Sequence, residues 1–199
     1  MLKQIEAAAS RPVTLEQLKG HCRVDFDDDN DQLEIFLDAA TEFVAMRTGL
    51  TPAPSSWEIE RCDWWSGCLQ VLLAPVRDVV ITYRDANGDA QTVAEDLYRW
   101  ERAELGFAEI RFLPAFTWPA VLADAPDAVQ IAIDAGFDDP AATGSGDDPE
   151  LALPKRLQQA ILMVAAYWYE NREAAVGGDE IKKIPLAAEA LIFQLRIYR

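Results

Sequence analysis

The sequence predicts a mixed α+β protein, a small α-helical bundle with an inserted antiparallel β module and an apolar C-terminal segment. Two long stretches with helical spacing of apolar residues lie far apart in the chain, at residues 32–49 and 154–175. Between them, residues 57–137 alternate polar and apolar side chains and contain turn motifs, a pattern typical of antiparallel strands. Half of the 199 residues are hydrophobic, which is enough for a core. One domain spanning residues 1–199 is therefore expected.

The first helical region is predicted over residues 12–50. Thr14 can cap a short helix, "TLEQLKGHC", because its hydroxyl can accept a hydrogen bond from a free N–H of the first turn. A longer helix follows an acidic stretch, and Gly49 is a natural end point because glycine readily adopts a left-handed C-cap. Its buried stripe is expected to comprise Leu33, Phe36, Leu37, Ala40, Val44 and Thr48, widened by Ile35 and Phe43.

The β module is predicted to contain several short strands. "WEIERC" and "CLQVLL" flank the turn "DWWSG", which predicts a hairpin with its tip at that turn. "VRDVVITYRDANGDAQTV" predicts a second hairpin, because Asn-Gly supplies the positive φ angles of a tight turn. Further strands are expected at "LYRWE", "AEIRFL" and "AVQIAIDAG".

The second helical region is predicted over residues 153–199, after an acidic linker at residues 138–152 that is rich in Gly and Pro. Pro154 suits the first turn of a long helix, where its missing N–H leaves no helical bond unmade. The final segment, "IPLAAEALIFQLRIYR", is apolar enough to need covering. The buried stripe of the long helix is expected to comprise Leu157, Ile161, Val164 or Ala165, and Trp168.

The charge is strongly acidic and unevenly distributed. The chain carries a net charge of −16, with a pI of about 4.3. From residue 151 onward, seven Lys and Arg outnumber five Asp and Glu, so residues 1–150 carry −18. This balance opposes binding to a nucleic-acid backbone. A mildly basic end on an acidic body suggests that the end has its own partner, and acidity that only aids solubility is the alternative.

Targeting and disulfide signals are weak. No run approaches the ~20 apolar residues of a membrane-spanning helix, and the N-terminus lacks an apolar signal core. We therefore expect a cytosolic protein with no membrane partner. Three cysteines, an odd number, are expected to be reduced thiols.

The stretch "DFDDDNDQL" places five carboxylates in nine residues, as either a metal loop or a helix start. A calcium-loop frame from Asp25 places Asn30 where the loop needs glycine and Phe36 where it needs its final acid. A frame from Asp27 also lacks the glycine. Acids before a helix accept hydrogen bonds from its free N–H groups and favour the positive end of its dipole. The expected helix-cap residues are Asp27, Asp28, Asp29, Asn30 and Asp31.

Catalytic and metal motifs are weak or missing in the sequence. Four possible zinc ligands, His21, Cys22, Cys62 and Cys68, do not have the spacing of a zinc ribbon. The single histidine is not tied by a motif to a second catalytic group. We therefore expect no enzyme activity, catalytic residue, cofactor or bound metal. A metal-dependent hydrolase that uses the Asp25–Asp31 cluster is the enzymatic alternative.

Aromatic side chains are candidates for contacts between proteins. Trp64 and Trp65 lie at the predicted hairpin tip, where they either pack beneath the hairpin or anchor a neighbouring protein. Tyr167, Trp168 and Tyr169 cover more than one face of the long helix, which fits contact with both its own core and another subunit. Trp64, Trp65, Tyr167 and Tyr169 are therefore the candidate interface residues.

Several segments occur in a characteristic order along nearly the whole chain. They are "VTLEQLKGHCRVDFDDDNDQLEIFLDAATEFVAMRTG", "LAPVRDVVITYRDANGD", "FTWP", "VQIAIDAG", "LPKRLQQAILMVAAYWYENRE" and "IPLAAEALIFQLRIYR". In this order and spacing they resemble the phage head–tail connector, or head-completion adaptor, proteins, including the adaptors of phage-like gene transfer agents.

The resemblance implies a helical bundle with a β insertion and a C-terminal docking segment that binds the portal protein. It also implies a ring beneath the portal, usually of twelve copies, which extends the DNA channel and contacts a stopper or tail-completion protein. The expected location is the neck of a virion or phage-like particle, with assembly in the host cytoplasm. An acidic channel wall would let DNA pass without specific binding, because it repels the phosphates. The family brings no catalytic residues with it.

The apolar C-terminal segment is the predicted portal contact, because one chain is expected to offer it few partners. Deleting residues 190–199 is therefore expected to leave a folded protein that no longer joins portal-containing heads. A stopper or tail-terminator ring protein of the same particle is the alternative, with an expected core that is predominantly β. In the connector interpretation, the candidate interface residues named above contact a sister subunit or the neck. The predicted portal-binding residues are Leu191, Ile192, Phe193, Leu195, Arg196, Ile197, Tyr198 and Arg199.

Overall fold

The computed structural model describes residues 2–8, 10–102, 107–138, 148, 150–171 and 184–197. Over these ranges the chain forms four α-helices and two antiparallel sheets, which confirms the predicted α+β class. No helix in the described ranges is long and apolar enough to cross a membrane. The elements in chain order are β1 (Leu2–Glu6), α1 (Leu15–Cys22), α2 (Asn30–Thr48), β2 (Ser55–Arg61), β3 (Cys68–Val71), β4 (Val76–Arg84), β5 (Ala90–Thr92), a short 3-10 helix (Glu95–Leu97), β6 (Tyr98–Arg102), β7 (Ala108–Phe112), β8 (Val129–Ala135), α3 (Lys155–Glu170) and α4 (Leu186–Leu195).

The chain divides into two compact units. The β unit comprises residues 1–9 and 53–137, and the helical unit comprises residues 10–52 and 138–199. The helices predicted before and after the β module therefore belong to one unit. The β unit also includes the N-terminal strand β1, which the sequence did not predict.

Five strands form the larger sheet, in the order β1-β2-β8-β4-β5. The central strand β8 pairs with β2 on one side and β4 on the other, so that Ile131 lies beside both Ile59 and Ile81. Alternate residues of β8 are buried, and those between them face away from the core. Every residue of β1 is exposed. A strand without a buried face does not need alternating apolar residues, which is why the sequence pattern did not predict β1.

The smaller sheet has the order β3-β7-β6 and shares a core with the larger one. The buried Tyr98 hydroxyl on β6 donates a hydrogen bond of 2.8 Å to the Val79 carbonyl on β4. The hairpin predicted from "WEIERC" to "CLQVLL" is wrong, because β2 pairs with β8 while β3 pairs with β7. Alternation identifies a strand but not its partner, and both partners here are distant in sequence.

The hairpin predicted at "ANGD" is confirmed. β4 pairs with β5, and Gly88 has the positive φ of 91° that the turn requires. The Asp85 carboxylate accepts hydrogen bonds from the backbone N–H groups of Asn87 at 2.9 Å and Asp89 at 3.1 Å. These N–H donors, Asn87 first, lower the pKa of Asp85 below its usual value.

In the helical unit, the predicted start of α1 and end of α2 are confirmed. Thr14 and Gln17 form a reciprocal capping box at the start of α1, and Gly49 adopts a left-handed C-cap with φ 78° after α2. The predicted stripe of α2 is largely correct, but Ile35 is 60% exposed rather than buried. It lies two positions from both Leu33 and Leu37, and a helix turns about 200° over two residues, so Ile35 points away from them. The buried residues of α2 are Leu33, Leu37, Ala40, Val44 and Thr48.

Candidate assembly surfaces

The acidic stretch leads into α2, but its side chains act differently from the cap that the sequence predicts. Asp29 occupies the N-cap position, yet within the described residues its carboxylate accepts no cap hydrogen bond from the first turn. Instead it accepts a hydrogen bond of 2.7 Å from the Tyr169 hydroxyl on α3. The expected side-chain cap at Asp29 is therefore wrong, because its backbone, with φ −99° and ψ 7°, lies outside the extended region that an N-cap residue usually adopts. Asn30 and Asp31 lie within the first turn, where the negative charge of Asp31 interacts favourably with the positive end of the helix dipole.

Asp27 is held by a basic side chain from α1. Its Oδ1 accepts hydrogen bonds from Lys19 Nζ at 2.6 Å and Asn30 Nδ2 at 3.2 Å. The Lys19 hydrogen bond, followed by that of Asn30, lowers the pKa of Asp27. These bonds join α1 to the start of α2.

The metal-site candidates do not converge in the described part of the chain. His21 and Cys22 belong to the helical unit, whereas Cys62 and Cys68 belong to the β unit. Among the described residues, no group of three or more His, Cys, Asp and Glu side chains is placed to hold a metal ion.

The remaining side chains of the acidic stretch face solvent. Asp25 and Asp28 are exposed, and the Phe26 ring between them is 46% exposed. The exposed surface here therefore combines one aromatic ring with carboxylates. We refer to residues 25–28 as the acidic turn.

The two neighbouring tryptophans pack inside the β unit. Trp65 is only 6% exposed, and Trp64 is half-buried, with its Nε1–H donating to the Pro119 carbonyl at 2.7 Å. Trp64 also contacts the rings of Phe112 and Phe116, with centroid distances of 5.4 and 4.9 Å. Most of their surface is therefore used within their own unit, and their predicted role in an interface stays a prediction.

The more exposed aromatic residue of this cluster is Trp118, which sequence reasoning did not single out as an interface residue. Its side chain is 49% exposed and rests against Phe112 and Phe116 at centroid distances of 5.3 and 5.1 Å. Its φ of 55° places it in the left-handed region, uncommon for a bulky residue. The "FTWP" segment could have indicated a turn in the sequence. Which aromatic ring of the cluster stays exposed depends on how the chain folds, so the sequence could not single out Trp118.

Tyr167 and Tyr169 are both half-buried on α3. The Tyr169 hydroxyl donates its hydrogen bond to Asp29. Trp168, between the two tyrosines in sequence, contacts Phe43 of α2 with 5.6 Å between ring centroids. The three aromatic residues thus cover several faces of α3, as the sequence predicts. A subunit contact through Tyr167 and Tyr169 stays a prediction.

The C-terminal segment has more partners within its own chain than the sequence suggests. Residues 186–195 form α4, which packs against α3 and α2 and buries Ala188 and Ile192. The Ile197 backbone N–H then donates a hydrogen bond of 2.8 Å to the Thr48 carbonyl at the end of α2. The segment therefore has partners within its own chain, through two buried side chains and one backbone group, while most side chains from Leu186 to Arg196 stay exposed.

The other C-terminal residues named as a portal contact divide into three groups. Leu191 and Leu195 are half-buried, whereas Phe193 is 65% exposed and Arg196 is exposed. Tyr198 and Arg199 lie outside the described residues.

A groove of about 430 Å³ lies beside α4 in the helical unit. Its apolar lining includes Phe43 of α2 with Leu186 and Phe193 of α4, which are 81% and 65% exposed. Arg47 and Arg196 also line it, and the Arg47 guanidinium lies 5.0 Å from the centre of the Phe43 ring. We call this feature the α4 groove.

One face of the larger sheet is acidic. Register places Glu58, Glu60, Asp78 and Asp134 on the face opposite the buried isoleucines of β8. Lys3 of β1 lies beside Glu58 at the edge of this face. The sheet thus presents several carboxylates on one face. The sequence shows only that polar residues alternate along each strand, not that the acidic residues of different strands lie side by side.

Residues 12–61 and 120–196, more than half of the chain, match the family of phage gp6-like head-tail connector proteins. The chain belongs to this family, and its role is that of a structural head–tail connector. The predicted resemblance is thereby confirmed. The family match omits residues 62–119, which contain β3 to β7. No curated protein matches the sequence significantly.

Three solved structures with a similar fold come from gene transfer agent particles. A chain from the virion of a native particle has 24% identity and a TM-score of 0.74. A chain from the neck of an empty particle, computed with C6 symmetry, has 24% identity and a TM-score of 0.73. A chain from the native neck, computed with C12 symmetry, has 23% identity and a TM-score of 0.65. Each match covers 100% of this chain and 96% of the other.

Proposed function

We propose that the protein forms a closed ring, of twelve copies, in the neck of a phage or phage-like particle. In this position it binds the portal, extends the DNA channel and receives a stopper or tail-completion protein. The observation that carries the proposal is membership of the connector family, together with a full-length fold match to chains from particle necks. Identical subunits around one axis form a ring when their head-to-tail contacts close.

The portal-facing part is proposed to be the end of the chain after α4. Residues 151–199 carry a net charge of +2, in contrast to −18 for residues 1–150. Ile192 and Ile197 complete the helical unit. The portal contact is therefore assigned to the two side chains that follow them, Tyr198 and Arg199. A basic, aromatic chain end suits a partner surface, because aromatic and Arg side chains dominate interface energetics.

The channel wall is proposed to repel DNA rather than bind it. The net charge of −16 and the acidic face of the larger sheet support this assignment. Carboxylates facing a channel raise the energy of bound phosphates and leave the DNA free to slide. The protein therefore needs no catalytic residue or cofactor in this role.

The contact with the stopper or tail-completion protein is proposed to involve Trp118. Phe116 connects this ring to Trp64, and Phe112 connects it to Trp65, so these two tryptophans would support Trp118 at the surface. The stopper or tail-terminator alternative predicts a predominantly β core, which the helical unit of α1 to α4 does not favour.

The portal assignment can be tested with heads that contain portal but lack the connector. A truncation after Ile197 removes Tyr198 and Arg199 and retains the Ile197 hydrogen bond to Thr48. We expect this variant to melt at the same temperature as the full chain and to bind heads about tenfold or more weakly in co-sedimentation. A variant with Gly-Ser in place of these two residues keeps the chain length and should fail equally. Undiminished binding by both variants would refute the assignment.

The hydrolase alternative is tested by calorimetry with calcium, magnesium and manganese. The proposal expects no stoichiometric heat at the Asp25–Asp31 cluster. Stoichiometric binding that Asp31→Asn abolishes would favour the hydrolase.

A further inference from the structure

We infer that the α4 groove is the socket for the acidic turn of the neighbouring copy, with Phe26 inserted between the apolar side chains of the groove. The inference rests on the proposed ring and identifies the contact between its subunits. Three features carry it: the composition of the groove, the composition of the turn and their separation along α2.

The groove combines exposed apolar surface with positive charge. Leu186 and Phe193 are 81% and 65% exposed although both are large hydrophobic residues. Arg47 and Arg196 lie in the same lining, where Glu189 is the acidic residue among the described ones. A groove with this lining favours a ligand that presents an apolar group surrounded by carboxylates.

The acidic turn presents that combination. The Phe26 ring is 46% exposed, and its neighbours Asp25 and Asp28 are exposed carboxylates. Asp27 is held by Lys19 and Asn30, which anchors the turn to α1 and α2. An aromatic ring on an anchored turn loses little conformational freedom on binding, which favours its use as an interface anchor.

One molecule cannot join its own turn to its own groove. The turn precedes the first residue of α2, Asn30, whereas Phe43 and Arg47 contribute to the groove from the last turns of the same helix. At 1.5 Å per residue, this separation along the helix axis is roughly 20 to 25 Å. An acidic turn that fills the groove must therefore come from another copy. Because turn and groove are different surfaces, the contact is head-to-tail and closes into a ring when the rotation per subunit allows.

A disulfide test can detect the contact in assembled necks. Phe26→Cys and Leu186→Cys are combined in one chain whose three native cysteines, Cys22, Cys62 and Cys68, are replaced. After oxidation and a non-reducing gel, the inference expects a ladder of covalent oligomers, whereas a mixture of the two single variants should stop at dimers. The matched control pairs Leu186→Cys with Ile35→Cys, an exposed position in the middle of α2, and should give no ladder.

A charge exchange tests the same contact without covalent bonds. Arg47→Glu should lower the fraction of protein in rings about tenfold or more, and adding Asp28→Lys in the same chain should restore it. Arg99→Glu, an exposed position on β6 of the β unit, is the control and should leave the rings intact.

The outcomes separate the inference from the proposed ring. Intact rings with no ladder, a ladder in the Ile35 control, or no rescue by Asp28→Lys would each overturn the inference and leave the ring standing. A disulfide that joins Leu186→Cys to a different neck protein would overturn it by assigning the groove to that partner. If the unmodified protein forms no ring in particles, the proposed function fails, and the inference fails with it.

Discussion

Gly136, at the end of β8, lies in backbone surroundings that a side chain would disrupt. Its φ is 120°, and a Cβ atom added there would lie 2.1 Å from the carbonyl oxygen of Ala53. Its N–H donates to the Pro75 carbonyl at 2.8 Å, so the backbone is fixed on both sides. A positive φ and a backbone overlap together leave glycine as the residue that fits.

We therefore expect Gly136→Ala to destabilise the protein by about 3 kcal/mol or more, from backbone strain and steric overlap combined. Gly20→Ala is the matched control, because nothing lies within 4 Å of the added Cβ in α1 and alanine favours a helix. That variant should be as stable as the unmodified protein or more so. Chemical denaturation measures both, and equal effects of the two substitutions would contradict the role of Gly136.

Asp85 links stability to pH at the β4–β5 turn. The N–H donors of the turn lower its pKa in the folded state, so the folded protein binds this proton less tightly than the unfolded chain. Its stabilising contribution is therefore present above the unfolded pKa of about 4 and is lost as pH falls through the folded pKa.

We expect Asp85→Ala to lower the melting temperature at pH 7 and to have a diminishing effect as the pH falls below about 4. Asp96→Ala, another exposed acid of the β unit, is the control and should show a smaller effect at pH 7. Thermal melts across this pH range test the expectation, which an Asp85→Ala effect that grows towards low pH would contradict.

At the scale of elements, sequence patterns predicted most of the helices and strands. Thr14, Gly49 and the "ANGD" turn are local signals, because the atoms that use them lie within a few residues. Strand partners could not be predicted in this way. β2 pairs with β8 about 75 residues later, and alternating side chains do not encode which distant strand lies alongside.

The acidic start of α2 shows the same limit at the candidate site. The sequence located the helix boundary correctly, but it assigned the Asp29 carboxylate to a local cap. The Tyr169 hydroxyl, 140 residues away, donates to that carboxylate instead. A tertiary partner of this kind appears only when α3 packs against α2, and the same is true of the α4 groove.

Two adjacent residues of α4 differ in burial and should therefore differ in their contribution to stability. Ile192 is 7% exposed and packs in the helical unit, whereas Phe193 is 65% exposed. We expect Ile192→Ala to cost about 2 to 4 kcal/mol of unfolding free energy, through lost burial and a cavity. Phe193→Ala should change it by about 0.5 kcal/mol or less. Denaturant titration of both variants measures this, and equal destabilisation would contradict the assigned orientation of α4.

The burial of α4 changes what is expected of the deletion of residues 190–199, which on the sequence alone should leave a folded protein. Removing residues 190–199 would take away Ile192 and the Ile197 hydrogen bond, and it should therefore destabilise the helical unit. A loss of head binding by that deletion would not separate docking from unfolding. The truncation after Ile197 separates the two.

At the scale of the whole molecule, the family assignment came from order and spacing rather than from any single motif. The "DFDDDNDQL" stretch or the tryptophan pair alone is compatible with several functions. Their sequence of occurrence along the chain identified the connector family, which the family match confirms. Contacts between copies could not be predicted in this way, because they depend on exposed faces that exist only after folding.

The most direct measurement is an electron cryomicroscopy reconstruction of necks from particles that contain this chain. We expect a closed ring of twelve copies at the portal vertex, with the chain end towards the portal and the acidic face of the larger sheet towards the channel. A neck in which this chain is absent from the portal vertex, or is present there as isolated copies without ring contacts, would contradict it.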